Sequence, residues 1–406
     1  MRIRPFPAIR PTSELAAKVA SLPYDVGDLE TARADAQANP VSFLHVERPE
    51  VDLPDPFDFA GGVHHRTAAA SLQRFLQQGV LVKDPQPALY VYRITLGTHE
   101  QTGVLTTCHV EDYYADVIKK HEKTKKPTED DRTQHVLKVG AQTGPIFLLH
   151  RDEPAIDRMV AGIKQGTPLY DFTAVDGIRH TVWRVAQADA LVAAFAAIPV
   201  AYVADGHHRA AAAARAGAER RSANPGHTGQ EEYNWFLAVL FPASHLQILA
   251  YNRMLRDLNG LTPEAFLAEV RRVFPVVEPA PSRPVAPGSI SMYLGGRWYG
   301  LRAEAPASVD PVSALDVSIL QDRLLGPVLG IADPRNNSRI EYLGGFRSAE
   351  ELKERVDRSQ AAVAFSVHPT TVDQLMAISD AGQIMPPKST WFEPKLRSGL
   401  FVHALD

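Results

Sequence analysis

An apolar run from Ile198 to Ala204 breaks at Asp205-Gly206 and passes at once into alanines, in the stretch Ala201-Tyr-Val-Ala-Asp-Gly-His-His-Arg-Ala-Ala-Ala-Ala-Ala-Arg215. Asp-Gly is a strong turn pair and alanine the best helix former, so the pattern predicts a buried strand, a tight turn and a helix. His207, His208 and Arg209 then fall in the first helical turn. Backbone N–H groups there lack intrahelical partners, and the helix dipole leaves partial positive charge. Cations are locally unfavourable at that end, so three together point to a bound anion, with phosphate the expected one. Gly206 lets the backbone approach such a ligand, and Asp205 is placed to orient a histidine or to hold a metal. Arg209→Ala is expected to abolish anion binding with little loss of stability, as a change at a surface site. Part of the pattern recurs at Gly61-Gly-Val-His-His-Arg66-Thr-Ala-Ala-Ala70 without the buried strand or the aspartate. It follows a Pro/Asp-rich stretch (Asp52 to Asp58) and reads as the start of a surface helix with no assigned function.

The chain has 406 residues, enough for two or three domains with ample core. A net charge of −4 and the lack of a long basic tract argue against a nucleic-acid surface. The densest basic run, Lys119-Lys-His-Glu-Lys-Thr-Lys-Lys126, is short and flanked by acids. Cys108 is the single cysteine, which excludes a disulfide framework and fits a reducing cytoplasm. The opening Met1-Arg-Ile-Arg-Pro-Phe-Pro has no apolar signal core. The most apolar stretch, Ala190 to Ala204, is interrupted by Pro199 and too short to cross a bilayer. A cytoplasmic protein with no membrane partner is expected.

Along the chain, helices are predicted over Thr12 to Ser21, over Asp28 to Asn39 with Asp28 as cap, and over Thr67 to Gln78 with Gly79 closing it. Val41 to Val46 reads as a strand. Ala88 to Thr95 and Gln101 to Val110 read as a hairpin across Gly97, and Ile146 to His150 and Asn234 to Pro242 as apolar strands. Pro275 to Gly288 is the candidate linker, followed by a hairpin over Ile290 to Arg302 and a helix over Leu315 to Leu325. The division expected is a catalytic region over 1–274 and a C-terminal α+β region over 289–406. Strands and helices mix without regular βαβ alternation, and no Gly-x-Gly-x-x-Gly or Walker loop is present. The fold class is therefore α+β, an irregular α/β arrangement on a mixed sheet, rather than a doubly wound Rossmann sheet.

Three further polar clusters stand out. His121-Glu122 through Thr128-Glu-Asp-Asp-Arg132 mixes acceptors for a metal or proton with cations for phosphate. Its Thr128 is also a good helix cap with acids behind it. Met385-Pro-Pro-Lys388-Ser389-Thr390 offers a cation and two hydroxyls on a proline-stiffened backbone. Pro23-Tyr24-Asp25 presents Asp25 as a general base, as an amine-binding carboxylate or as half of a buried Tyr-Asp pair.

Taken in order, Pro23-Tyr-Asp-Val26, His121-Glu…Glu129-Asp-Asp-Arg132, Ala204-Asp-Gly-His-His-Arg209 and Met385-Pro-Pro-Lys-Ser-Thr390…Pro394-Lys395 resemble the hallmarks of a prokaryotic family known as domain of unknown function 1015. The resemblance runs from Phe6 to about Val402, with Leu22 where the family commonly has proline. Asp205-Gly-His-His-Arg209 alone is also similar to the signature of free-serine kinases in the ParB/sulfiredoxin superfamily. That likeness implies a strand-turn-helix loop binding the phosphates of a donor nucleotide or polyphosphate. Sulfiredoxins carry a catalytic cysteine where this chain has His207, so sulfinate reduction is not supported. No basic helix-turn-helix of the chromosome-binding relatives is present either.

These readings combine into an enzyme: a kinase moving a phosphoryl group to the hydroxyl of free L-serine or a similar hydroxy-amino acid. Gly206, His207, His208 and Arg209 would cradle the donor, with Arg132, Lys388, Ser389 and Thr390 also binding phosphate. Asp205 would bind Mg²⁺ or orient a histidine. Glu122 or Asp25 would take the acceptor's proton, Glu122 being favoured because His121 can tune it, and His208 would stand among the catalytic groups. The donor is left open among ATP, ADP and pyrophosphate. The alternatives are a nucleotide- or polyphosphate-sensing protein without transfer activity, and a phosphohydrolase.

Overall fold

A computed structural model of the chain describes residues 1–56, 61–303, 310–345 and 349–406. It divides into two compact units, one of Met1–Leu246 with Pro394–Asp406 and one of Gln247–Glu393. The stretch from Pro275 to Gly288 lies within the second unit, and the end of the chain returns to the first.

The first unit is built, among the described residues, on a nine-stranded mixed sheet. Its strands are β1 (Ile3–Arg4), β2 (Tyr90–Leu96), β3 (His99–His109), β4 (Ile118–Lys119), β5 (Ile146–His150), β6 (Tyr170–Thr173), β7 (Arg179–Arg184), β8 (Ala201–Asp205) and β9 (Trp235–Pro242). They run in the order β4-β8-β5-β9-β3-β2-β7-β6, with β1 paired to β3. The β4–β8 and β5–β9 pairings are parallel and the others antiparallel. This is the α+β architecture with a mixed sheet that the lack of βαβ alternation predicts. The central strands read as unbroken apolar runs, Ile146-Phe-Leu-Leu149 and Phe236-Leu-Ala-Val-Leu-Phe241, because both of their faces are buried. Leu148, Val203, Phe236 and Leu240 meet Ile156, Phe195, Ala210 and Ala213 from flanking helices in one core.

Three helices position the site: α1 (Val63–Gln77), α2 (Lys126–Val139) and α3 (His207–Ala223). The alanines of α3 from 210 to 214, Ala216 and Gly217 are all buried, so this helix is packed around much of its circumference. Small side chains make that possible. On Gly217, a Cβ would stand 2.4 Å from the Tyr233 carbonyl oxygen. Helix α2 packs against both α1 and α3. Val139 joins Ala68, Leu72 and Phe75 on one side, and Val136 joins Ala216 and Tyr233 on the other.

Several local expectations hold. Asp28 caps the helix Leu29–Ala38 by accepting from Thr31 N–H at 2.8 Å, and the hairpin across Gly97 forms. Others do not. Val41 to Val46 is no strand; a single helical turn, Leu44–Glu47, stands there. Phe43 and Val46 are both buried beside α1, and residues three apart share a face only in a helix. The helix over Thr12 to Ser21 shrinks to Ala16–Val19. Thr128 is not a cap, because α2 begins at Lys126 with Pro127 in its first turn, where proline's fixed φ is preferred.

In the second unit, β10 (Tyr251–Leu255), β11 (Val276–Val277), β12 (Ser289–Leu294), β13 (Arg297–Arg302), β14 (Ile340–Gly344) and β15 (Val363–Val367) form an antiparallel sheet in the order β11-β13-β12-β15-β10-β14. Met254, Tyr293, Leu343, Leu352 and Ala364 fill its core. No helix among the described residues of the chain is long and apolar enough to cross a membrane.

Candidate functional site

The predicted strand-turn-helix is present: β8 ends at Asp205, and α3 starts at His207. Gly206 between them takes φ +90°, a left-handed conformation that L side chains avoid. A Cβ there would also meet Nε and Nη2 of Arg209 at 3.0 Å. Among the described residues no side chain caps the start of α3. The tip is not sealed in apolar packing, since Asp205, Gly206 and His208 are all partly exposed.

Charge is concentrated around Asp205. Its Oδ2 lies 3.2 Å from Lys395 Nζ and 3.9 Å from Arg209 Nη2. Burial alone would raise the Asp205 pKa, but Lys395 and Arg209 outweigh it and hold the carboxyl well below the usual range. Arg209 is itself a buried side chain, 9% exposed, and donates from Nη1 to the Pro145 carbonyl at 2.8 Å. Its Nε has no partner among the described residues. Burial opposes the Arg209 charge, while Asp25, Asp205 and Glu47 stabilise it. The expectation of a surface arginine is thereby corrected.

The two histidines of the loop differ. His207 is buried, lies edge-to-face with His121 at 4.4 Å between ring centres, and has no partner for Nε2 among the described residues. Burial drives His121 down to about 4 and His207 well below the ordinary range, so both are neutral near pH 7. Neutral imidazole is the ligating form, and His121, Glu122 and His207 offer ligand atoms within 4.8 Å of one another. Two nitrogens and a carboxylate suit a first-row transition ion, whereas Mg²⁺ prefers oxygen ligands. His208 instead accepts the Lys125 N–H at Nε2, 2.9 Å away, which ties the 121–125 segment across the helix start.

Tyr24 lies under the Arg132 guanidinium, 4.4 Å from ring centre to Cζ, and feels the charges of Asp25, Arg132, Arg209 and Glu47. Three of the motifs singled out in the sequence therefore converge here. Arg132 is buried and committed locally, donating from Nε and Nη2 to Asp131 Oδ2 at 2.9 and 2.7 Å. With Arg209 and Glu47 it lines a cavity of about 30 Å³. Lys388, Ser389 and Thr390 belong to the second unit. There the Lys388 carbonyl accepts from Arg253 at 3.1 Å and the Ser389 hydroxyl donates to the Pro386 carbonyl at 2.7 Å.

Sequence reasoning missed two members. Glu47 is 2% exposed and accepts from the Thr143 hydroxyl at 2.6 Å; a single acid in an apparent loop gave no signal. Lys395 carried a signal in its Pro-Lys pair, yet its partner Asp205 is remote in sequence. The second His-His-Arg stretch also departs from expectation. Helix α1 starts after Gly62, but His64 and His65 are buried rather than on the surface, and both place Nε2 3.0 Å from Asp131 Oδ1. The packing of α2 beside α1 brings Asp131 to them.

A family model described as protein of unknown function (DUF1015) matches residues 3–318. No curated protein matches the chain. Among solved structures, a free serine kinase mutant in complex with AMP overlaps with a TM-score of 0.39 at 11% identity, covering 74% of this chain and 92% of that one. A conserved hypothetical protein from Pyrococcus furiosus gives 0.37 at 12% identity, covering 74% and 94%. SbnI with a C-terminal truncation from Staphylococcus aureus gives 0.37 at 14% identity, covering 73% and 86%. Overlaps this loose carry no inference about chemistry.

Proposed function

The chain belongs to the DUF1015 family, and from that premise we propose that it is a phosphotransferase acting on a small hydroxylated acceptor, free L-serine or a similar hydroxy-amino acid. The observation that carries the reading is the start of α3. There a helix end uncapped among the described residues, and an Arg209 Nε with no partner among them, stand beside the Lys395–Asp205 pair. Buried donors without acceptors are costly, and an anion supplied by a ligand removes that cost.

Phosphoryl transfer asks a protein mainly for positioning and charge neutralisation. In this reading the amides of His207, His208 and Arg209 cradle the donor phosphates. Lys395, oriented by Asp205, neutralises charge on the group in flight. Glu122 accepts the acceptor's proton as the new O–P bond forms and the donor's P–O bond breaks, leaving the shortened donor. Asp25, exposed and among the charges felt by Arg209, is the other candidate base. Mg²⁺ would arrive on the donor, which is ATP, ADP or pyrophosphate.

One observation favours hydrolysis as a second reading. A transition ion held by His121, Glu122 and His207 would supply water activation in place of an alcohol. Incubation with serine, Mg²⁺ and each donor, followed by ³¹P NMR, separates the two. The proposal expects O-phosphoserine with at least one donor, and a rate ~10²- to 10³-fold lower in Lys395→Met. Orthophosphate release independent of serine would support hydrolysis. Donor binding without turnover would leave only a sensor.

A further inference from the structure

We propose that His64, His65 and Asp131 form a binding site for a divalent first-row transition ion, separate from the trio beside α3 and independent of the phosphotransferase reading. Consecutive residues on a helix project ~100° apart, yet both of these side chains turn their Nε2 atoms onto one oxygen. The Nε2-to-Oδ1 distance is 3.0 Å for each, and the ring centres are 3.8 Å apart. Ligands held ~2.1 Å from an ion stand ~3.0 to 3.4 Å from one another, so both imidazole–carboxylate separations already fit that span.

The surroundings fit the same purpose. Arg132 takes Asp131 Oδ2 with two N–H groups, which fixes the carboxylate and leaves Oδ1 to the histidines. Outer contacts of this kind orient metal ligands in general. The trio opens on a cleft of about 840 Å³ lined also by Thr128, Gln134 and Lys138. Three protein ligands facing an open cleft leave coordination positions for water or a small ligand, unlike a closed structural site. Two imidazoles with one carboxylate select a transition ion over Ca²⁺ or Mg²⁺, which take oxygen ligands.

The test uses the full chain freed of metal by a chelator and titrated with Co²⁺, read by its visible absorption. The wild type should bind at this trio, and His64→Ala/His65→Ala should weaken that binding by at least ~10²-fold, since even outer-contact changes cost about 10- to 100-fold. Glu122→Gln should leave it intact, which separates the two trios. Unchanged titration of the double variant would overturn the proposal. Because that variant removes buried side chains, a Zn²⁺-soaked wild-type crystal gives a second readout. An anomalous peak between His64, His65 and Asp131 supports the site, and a soaked crystal without one refutes it.

Discussion

The chain starts two helices with His-His-Arg, and the pair shows how neighbours, rather than local sequence, decide what a helix start can hold. Both starts follow a left-handed glycine, Gly62 at φ +61° and Gly206 at φ +90°, and neither has a side-chain cap among the described residues. Both are served by the same segment, with His121 and Glu122 reaching one and Asp131 the other. They differ in where the carboxylate and the arginine go. At Gly206 the strand β8 delivers Asp205, which engages Lys395 and Arg209, and the arginine is drawn inside. At Gly62 Asp131 meets the histidines directly, and Arg66 stays exposed on the Gly61 carbonyl. The first arrangement gathers cations around one carboxylate; the second gathers two imidazoles on one carboxylate.

That contrast breaks most easily at the arginines. Arg209→Ala should cost up to about 3 kcal/mol in denaturant unfolding, because it leaves the Pro145 carbonyl without its donor and removes one of the two cations beside Asp205. Arg66→Ala should leave the unfolding midpoint unchanged. Equal effects would mean that the two starts are packed alike. The glycines sharpen the point at smaller scale. Gly206→Ala should destabilise by about 2 kcal/mol or more, combining left-handed strain with a 3.0 Å approach to Arg209. Gly62→Ala should cost only about 1 kcal/mol, since among the described residues its Cβ would meet nothing closer than His65 Nδ1 at 3.8 Å.

The last effect concerns acid and is spread over about two pH units. His135 on α2, between the two starts, is buried, bonded through Nε2 to the Val46 carbonyl at 2.9 Å, and pushed by burial down to about 3. The unfolded chain holds a proton there from about pH 6.5 downward while the folded chain does not. Stability contributed by the neutral ring is therefore complete above pH 6.5 and lost progressively as pH falls towards 3. One proton corresponds to about 1.4 kcal/mol per pH unit. His135→Gln should flatten the unfolding free energy against pH between 6 and 4 by up to that slope. An unchanged slope would show that His135 protonates without unfolding.

What the sequence reveals follows the range of the interactions. The turn at Asp205-Gly206, the hairpin across Gly97 and the Asp28 cap depend on a few neighbouring residues, and each is legible. The site is legible only in part. Tyr24, Arg132 and Arg209 could be named as candidates, but their convergence depends on α2 packing between two helices from distant parts of the chain. The same packing buries His64 and His65, whose neighbourhood of glycine, threonine and exposed arginine looks like surface. Val41 to Val46 fails for a related reason, because its burial beside α1 has a helical rather than an alternating period.

The central claim, that the start of α3 grips phosphate, is tested most directly by the structure of crystals soaked in pyrophosphate. The account predicts a phosphoryl group on the amides of His207, His208 and Arg209, within hydrogen-bonding reach of Lys395. Saturating pyrophosphate that binds elsewhere, with those amides bare, would contradict it.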